Sequence, residues 1–250
     1  MITPLNIIDE QAFVTDLIAR DYRTADVFKK YGIDFCCGAK WPLHTACELR
    51  GLDTQLVKQE LQEAMRPLQT VALLSFAKWP LDFLTGYMVH VHHAYVRQAL
   101  PSLKGFLELF VTEHSQKYTY LHELQQQFTR LHNNLPACMQ HEEDVIFPYV
   151  KQVNRAFQGK ASFAALLTRT LRKPVEKVME QEHQLIVSVL KKMRELTSNY
   201  TLPASACRSH LVVFKKLHEL DNDLMQHLHL ENAIMLPALH AIEAELNKKQ

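Results

Sequence analysis

Ten residues near the C-terminal end, Asp223-Leu224-Met225-Gln226-His227-Leu228-His229-Leu230-Glu231-Asn232, set an imidazole and a carboxylate four positions apart. An α-helix turns once every 3.6 residues, so His227 and Glu231 project side by side and could grip one metal ion from a single rod. A lone pair at this spacing usually belongs to a solvated helix face. Here it gains weight because further histidines fall on apolar helical stretches of a chain that holds 14 of them without a His tract.

Three more stretches carry an inward-facing candidate. His93 shares a stripe with Val89, Val96 and Leu100, flanked by His90 and His92, of which at most one could share its face. His183 shares one with Met179, Ile186, Val187 and Leu190. His227 and Glu231 share theirs with Leu224, Leu230, Ile234 and Met235. Glu142 lies among Met139, Val145, Ile146 and Tyr149, where an unpaired carboxylate would be costly. Three imidazoles and two carboxylates form a nitrogen and oxygen set suited to iron or manganese, and zinc could occupy the same residues. Two carboxylates that bridge would offset part of the charge of two divalent ions, so the expectation is a non-haem dinuclear centre. Haem fits less well, since the chain has no Cys-x-x-Cys-His and paired carboxylates are poor haem ligands.

The elements that must hold these residues are helices. Six glycines in 250 residues, abundant Leu, Gln, Glu and Lys, and few alternating β-branched runs predict an all-α protein. Residues 1–66 read as a small helical domain. Arg23 to Tyr31 ends at Gly32, Pro42 starts a helix that stops at Gly51, and Asp53 caps a helix from Thr54 to Met65. Its expected core is Phe13, Leu17, Val27, Phe28, Leu49 and Leu61. Residues 67–80, with Lys78-Trp79-Pro80, read as a linker. Residues 81–250 carry four long amphipathic stretches: Leu81 to Phe110, Tyr118 to Val153, Pro174 to Thr197 and Ala204 to Leu236. Joined in sequence, they predict an antiparallel four-helix bundle, an architecture that holds metals with side chains of facing helices.

A net charge of +1 offers no basic footprint for nucleic acid. The start of the chain, Met1-Ile2-Thr3-Pro4-Leu5-Asn6-Ile7-Ile8-Asp9-Glu10, is acidic where a secretory signal is basic and then apolar. No stretch reaches the roughly 18 to 20 apolar residues of a membrane span. Five cysteines, spread unevenly, suit reduced thiols better than a disulfide framework. The expected compartment is the cytoplasm.

Five motifs in order resemble the iron-sulfur cluster repair di-iron family, which joins a small N-terminal domain to a hemerythrin-like bundle. They are Tyr31-Gly32-Ile33-Asp34-Phe35-Cys36-Cys37-Gly38, then His92-His93-Ala94-Tyr95-Val96-Arg97 followed by Leu100-Pro101, then Glu142-Glu143-Asp144-Val145-Ile146-Phe147-Pro148, then Met179-Glu180-Gln181-Glu182-His183, and last His227 to Asn232. The resemblance covers nearly the whole chain. It implies two non-haem, carboxylate-bridged irons held by His93, Glu142, His183, His227 and Glu231, the residues that periodicity turns inward. The sixth family ligand, a His four residues before the Glu-Glu pair, is here Cys138. His141 sits about 100° around the helix from Glu142 and cannot simply take that place, although Pro136 just upstream could re-aim the segment. Three outcomes stay open: Cys138 ligates as a thiolate, water or His141 completes the site, or one metal position is weak or lost.

Cys36 and Cys37 are adjacent, so a disulfide between them would be strained. They read either as buried small residues of a turn or, as the resemblance implies, as a thiol pair that passes on iron, with Lys40 nearby to favour the thiolate. Cys47 and Cys207 read as packing residues. The resemblance implies a stress-response protein that helps restore iron-sulfur clusters damaged by nitric oxide or oxidants, by donating iron or by reducing nitric oxide. Its partners would be apo or damaged iron-sulfur proteins, with nitric oxide or oxygen as small ligand, and a homodimer is implied. Two other readings are a non-catalytic carrier or sensor of oxygen or nitric oxide, and a metal-poor interaction module.

Overall fold

The computed structural model of the chain describes residues 8–35, 41–65, 75–159 and 164–248, the side chains of 164–176 and of 247 and 248 excepted. The thiol pair Cys36 and Cys37, and Lys40, lie outside the described residues. Four short helices come first: α1 (Val14–Arg20), α2 (Thr24–Lys30), α3 (Leu43–Glu48) and α4 (Thr54–Ala64).

Local chemistry sets their ends. Gly32 takes φ +65°, which lets its N–H reach Lys29 O and the Ile33 N–H reach Phe28 O, the paired bonds of a Schellman closure, with Ile33 and Phe28 both buried. The Asp53 carboxylate accepts from the N–H groups of Gln55 and Leu56 at the start of α4. Leu17, Val27, Phe28 and Leu61 are buried as expected, but Phe13 is 45% and Leu49 is 65% exposed. Phe13 is the extended residue ahead of α1, paired through its backbone with Pro42, and Leu49 follows the last turn of α3, whose inward positions go to Ala46 and Cys47.

Four rods follow. The first is α5 (Leu81–Tyr87), a π-helical turn at Met88–His93, and α6 (Ala94–His114). The second is α7 (Leu121–His141), a π turn at Glu142–Ile146, and α8 (Phe147–Phe157). The third is α9 (Ala164–Leu196). The fourth is α10 (Arg208–His229), a π turn at Leu230–Met235, and α11 (Leu236–Lys248). The sequence expectation misplaced two rods. The third starts ten residues before Pro174, which lies within it, and the fourth starts at Arg208 and runs past Leu236 to Lys248.

Rods pack as α6 on α7 and α10, and α9 on α7 and α8. Of the first four helices, α1 lies against α10 and α2 is tied to α6. Tyr22 Oη donates to Glu219 Oε2 at 2.8 Å, and Ser102 Oγ donates to Asp26 Oδ1 at 2.7 Å. Of the stretch read as a linker, Phe76–Lys78 forms a 3-10 turn, and the Phe76 and Trp79 rings meet Tyr87. Cys47 is buried, and half-buried Cys207 places Sγ 3.4 Å from His114 Nε2. No helix among the described residues is long and apolar enough to cross a membrane.

The apolar interior has two parts. One runs from Ile8 and Phe28 through Val96, Leu135, Met139, Ile186 and Leu228; the other gathers Leu84, Met88, Ile146, Met179, Leu230 and Met235. On each rod the chain passes from one to the other at a candidate ligand: Met88 to Val96 across His93, Met139 to Ile146 across Glu142, Met179 to Ile186 across His183, and Leu228 to Leu230 between His227 and Glu231.

Away from that boundary, His210 is fully buried between the rings of Phe110, Phe214 and Tyr118. Burial, then the charges of His114 and Lys117, depress its pKa to about 4. A histidine held neutral contributes stability that is full above its unfolded pKa, near 6.5, and is lost as pH falls toward 4. Urea titrations should show stability falling between pH 6.5 and 4, with that component reduced in His210→Phe.

Candidate metal centre

All five inward residues meet. His93, Glu142 and His227 place one ligand atom each within 4.8 Å of one another, and so do Glu142, His183 and Glu231; every one of them is buried. Glu142 belongs to both triplets, the position of a bridge between two ions. The π turns explain how the rods deliver them. Each inserts one residue into the α repeat and so re-aims the side chains around it, and all three fall at a candidate ligand: His93, Glu142 or Glu231. This shift is also why Val145, read as inward, is exposed; Val187, likewise read as inward and exposed, lies on the unbroken α9, beyond the inward face that Ile186 and Leu190 occupy.

The contacts within the site are those of Lewis bases facing each other. His93 Nε2 lies 2.9 Å from Glu142 Oε2, and His183 Nε2 lies 3.0 Å from Glu231 Oε2. His227 Nε2 lies 3.7 Å from both Glu142 Oε2 and Glu231 Oε1. None of these atoms has an aligned hydrogen bond, and both oxygens of fully buried Glu231 lack a partner. Two neighbouring ligands of an octahedral ion with bonds near 2.1 Å stand about 3 Å apart. Orphaned nitrogens and oxygens at that spacing, where each should cost stability if left alone, fit a cation with hard and borderline ligands.

The outer nitrogens are held as well. His93 Nδ1 is 2.5 Å from Glu143 Oε1, to which Arg97 Nη2 also donates at 2.7 Å, and His183 Nδ1 is 3.2 Å from Asn232 Oδ1. An Nδ1–H given to an acceptor leaves the Nε2 lone pair for a metal. Periodicity did not single out Glu143 or Asn232, but each directly follows a candidate ligand in sequence.

Cys138 stands apart from both triplets. Its buried thiol donates to Glu142 Oε1 at 3.1 Å and to Glu182 Oε2 at 3.6 Å, and burial, reinforced by the charge of Glu142, drives its pKa well up. In this structure the sulfur faces Glu142 as a hydrogen-bond donor. His141 also stays outside, with Nδ1 3.7 Å from Glu182 Oε2.

Residues 86–239 match the hemerythrin HHE cation binding domain, and residues 10–65 match ScdA_N, a domain of unknown function (DUF542). The iron-sulfur cluster repair protein YtfE of Escherichia coli O157:H7 is 31% identical over 216 residues, 86% of this chain and 90% of that protein. The YtfE proteins of Escherichia coli O8 (strain IAI1) and Shigella boydii serotype 4 (strain Sb227) are each 30% identical over the same shares. The chain belongs to this two-domain hemerythrin-type repair family. The match to the hemerythrin domain includes all five converging residues.

Within the hemerythrin domain, burial and the neighbouring Glu142 raise the Glu231 carboxyl to about 7, while burial lowers His227 to about 3. Burial opposes ionisation of Glu142 too, yet the facing His93 and His227 hold it below the usual carboxylate range. Without a cation the site is a strained arrangement of buried polar groups. Glu231→Leu should therefore make the metal-free protein more stable, by about 1–3 kcal/mol in urea unfolding, while lowering the metal taken up per chain. Glu143→Ala should keep the fold and weaken metal binding about 10–100-fold, read by competition with a chelator.

Proposed function

We propose that this protein is a cytoplasmic di-iron protein that helps repair iron-sulfur clusters damaged by nitrosative or oxidative stress. In this reading residues 1–66 form the thiol-bearing domain, 67–80 the linker and 81–250 the hemerythrin-like bundle. The observation that carries it is the pair of triplets sharing Glu142, with five buried residues whose facing ligand atoms are orphaned where two ions would sit. The names of the YtfE relatives support the repair role.

His93, His227 and Glu142 would hold one iron, and His183, Glu231 and Glu142 the other. A ferrous pair would supply two electrons, the number needed for two nitric oxide molecules and two protons to give nitrous oxide and water. The residues themselves set how open the second position is. Where the family has a sixth ligand, Cys138 offers a neutral thiol that hydrogen-bonds Glu142, so the ion beside His183 has one protein donor fewer. An under-coordinated iron suits donation to an apo cluster, with Cys36 and Cys37 as the thiols that receive it. Clients are damaged or apo iron-sulfur proteins, and a homodimer is the assembly implied by the resemblance.

The deciding experiment is anaerobic reconstitution with ferrous iron, metal analysis and Mössbauer spectroscopy, followed by reactivation of a nitric oxide-damaged iron-sulfur dehydratase. Two coupled irons per chain and reactivation are expected. One iron or none would overturn the di-iron reading; two irons without reactivation or nitric oxide turnover would leave a carrier or sensor. Cys138→Ala should retain two irons, since the thiol is a hydrogen-bond donor rather than a ligand. Cys36→Ser with Cys37→Ser should keep the iron content and lose reactivation.

A further inference from the structure

Four imidazoles among the described residues have an Nε2 that is enclosed by protein and lacks a hydrogen-bond partner: His92, His93, His183 and His227. The last three belong to the triplets. His92 shares their other mark. Its Nδ1 is 2.9 Å from Asp223 Oδ1, as the Nδ1 atoms of His93 and His183 are held by Glu143 and Asn232. An imidazole that gives its Nδ1–H to a carboxylate presents the Nε2 lone pair at its far end, the form in which histidine binds metals. Enclosed ring nitrogens without a partner also occur at Nδ1 of His141 and His210, but among the described residues an orphaned Nε2 is confined to His92 and the three imidazoles of the triplets.

The position of the ring fits this assignment. The His92 and His227 rings are nearly parallel, at 13°, with centroids 5.7 Å apart. Asp223, the anchor of His92, lies one turn before His227 on α10, so anchor and neighbouring ligand rise from the same rod. His92 itself lies next to His93 in the π turn Met88–His93.

We propose that His92 is an additional ligand of the ion held by His93, Glu142 and His227. The inference rests on the metal-centre reading above and deepens it. His92 is not among the residues whose ligand atoms group within 4.8 Å, so its ring moves inward on its Asp223 tether when the ion enters. The centre is then lopsided. One ion has three imidazoles, and the other, on the side where Cys138 contacts Glu142 and Glu182, has one. The imidazole-rich ion is the tightly held one, and the ion beside His183 is the exchangeable one.

The test is anaerobic titration of the full chain with Co(II), whose visible d–d bands report ligand number and type, for the wild type, His92→Phe, His92→Ala and Asp223→Asn. His92→Phe keeps a ring against His227 and removes only the nitrogens. Both His92 variants should weaken the tighter of the two ions at least about tenfold and change its d–d bands, with the weaker ion unaltered, and Asp223→Asn should do the same to a smaller degree. Wild-type affinity and bands in His92→Phe would overturn the proposal, because His92 would then be only a wall for His227. A wild-type chain that binds no Co(II) tightly would sink the metal-centre reading together with this one; two tight ions in wild type and in His92→Phe would sink this one alone.

Discussion

The bundle depends on one constraint: five Lewis bases must face each other inside an apolar interior. Two carboxylates and three imidazoles, all buried, approach to 2.9–3.7 Å without aligned hydrogen bonds. His93 and His227 offset the burial of Glu142 only in part, and Glu231 stays uncompensated. Apolar packing above and below must therefore hold them in place, and a cation removes the penalty. Such a chain gains stability from its ligand by mass action, so folding and metal loading are coupled.

That constraint accounts for the shape of the interior. The two apolar clusters are each large enough to fix helix positions, and every rod crosses from one to the other at a ligand. The π turns lie at the same level. A regular α repeat turns 100° per residue and would carry Val145 toward the core with Ile146; the inserted residue at Glu142–Ile146 keeps Glu142 and Ile146 buried and turns Val145 out. Three of the four rods accept this local cost at the ligands and none elsewhere among the described residues.

The sequence made the helical class, the four-rod plan and the five converging side chains legible, because a buried His or Glu on an apolar stripe is a conflict visible in one dimension. It did not reveal the π turns, since a one-residue insertion changes which neighbours face inward without changing composition. Val145 was misjudged on a straight α repeat, whereas Val187, on the unbroken α9, falls at the margin of a face that Ile186 and Leu190 fill. The first turns of α9, ahead of Pro174, lie outside the stretch that the sequence pattern assigns to the third rod. Phe13 and Leu49, at helix margins, carried an apolar signal that their exposed positions do not honour. The outer partners were harder still: Glu143 and Asn232 look like ordinary polar residues until the Nδ1 atoms they hold are located, and Asp223 is linked to His92 across 131 positions.

Cys138 shows how one residue can change a metal centre without disturbing the fold around it. A thiol is small and tolerates burial, so it fits among Leu135, Met139 and Glu142 where an imidazole would reach an ion. Between two carboxylates it keeps its proton, since ionisation there would place a third negative charge beside Glu142 and Glu182. A cation on that side could in principle reverse the balance, because a metal favours the thiolate. The geometry weighs against it: Sγ already donates to Glu142, the carboxylate common to both triplets, and bonding to the sulfur would remove that hydrogen bond. Glu142 thus keeps a donor on its outer oxygen, and on the proposed di-iron reading the side of His183 would be short of one protein ligand, the arrangement expected where one ion is to be retained and the other given up.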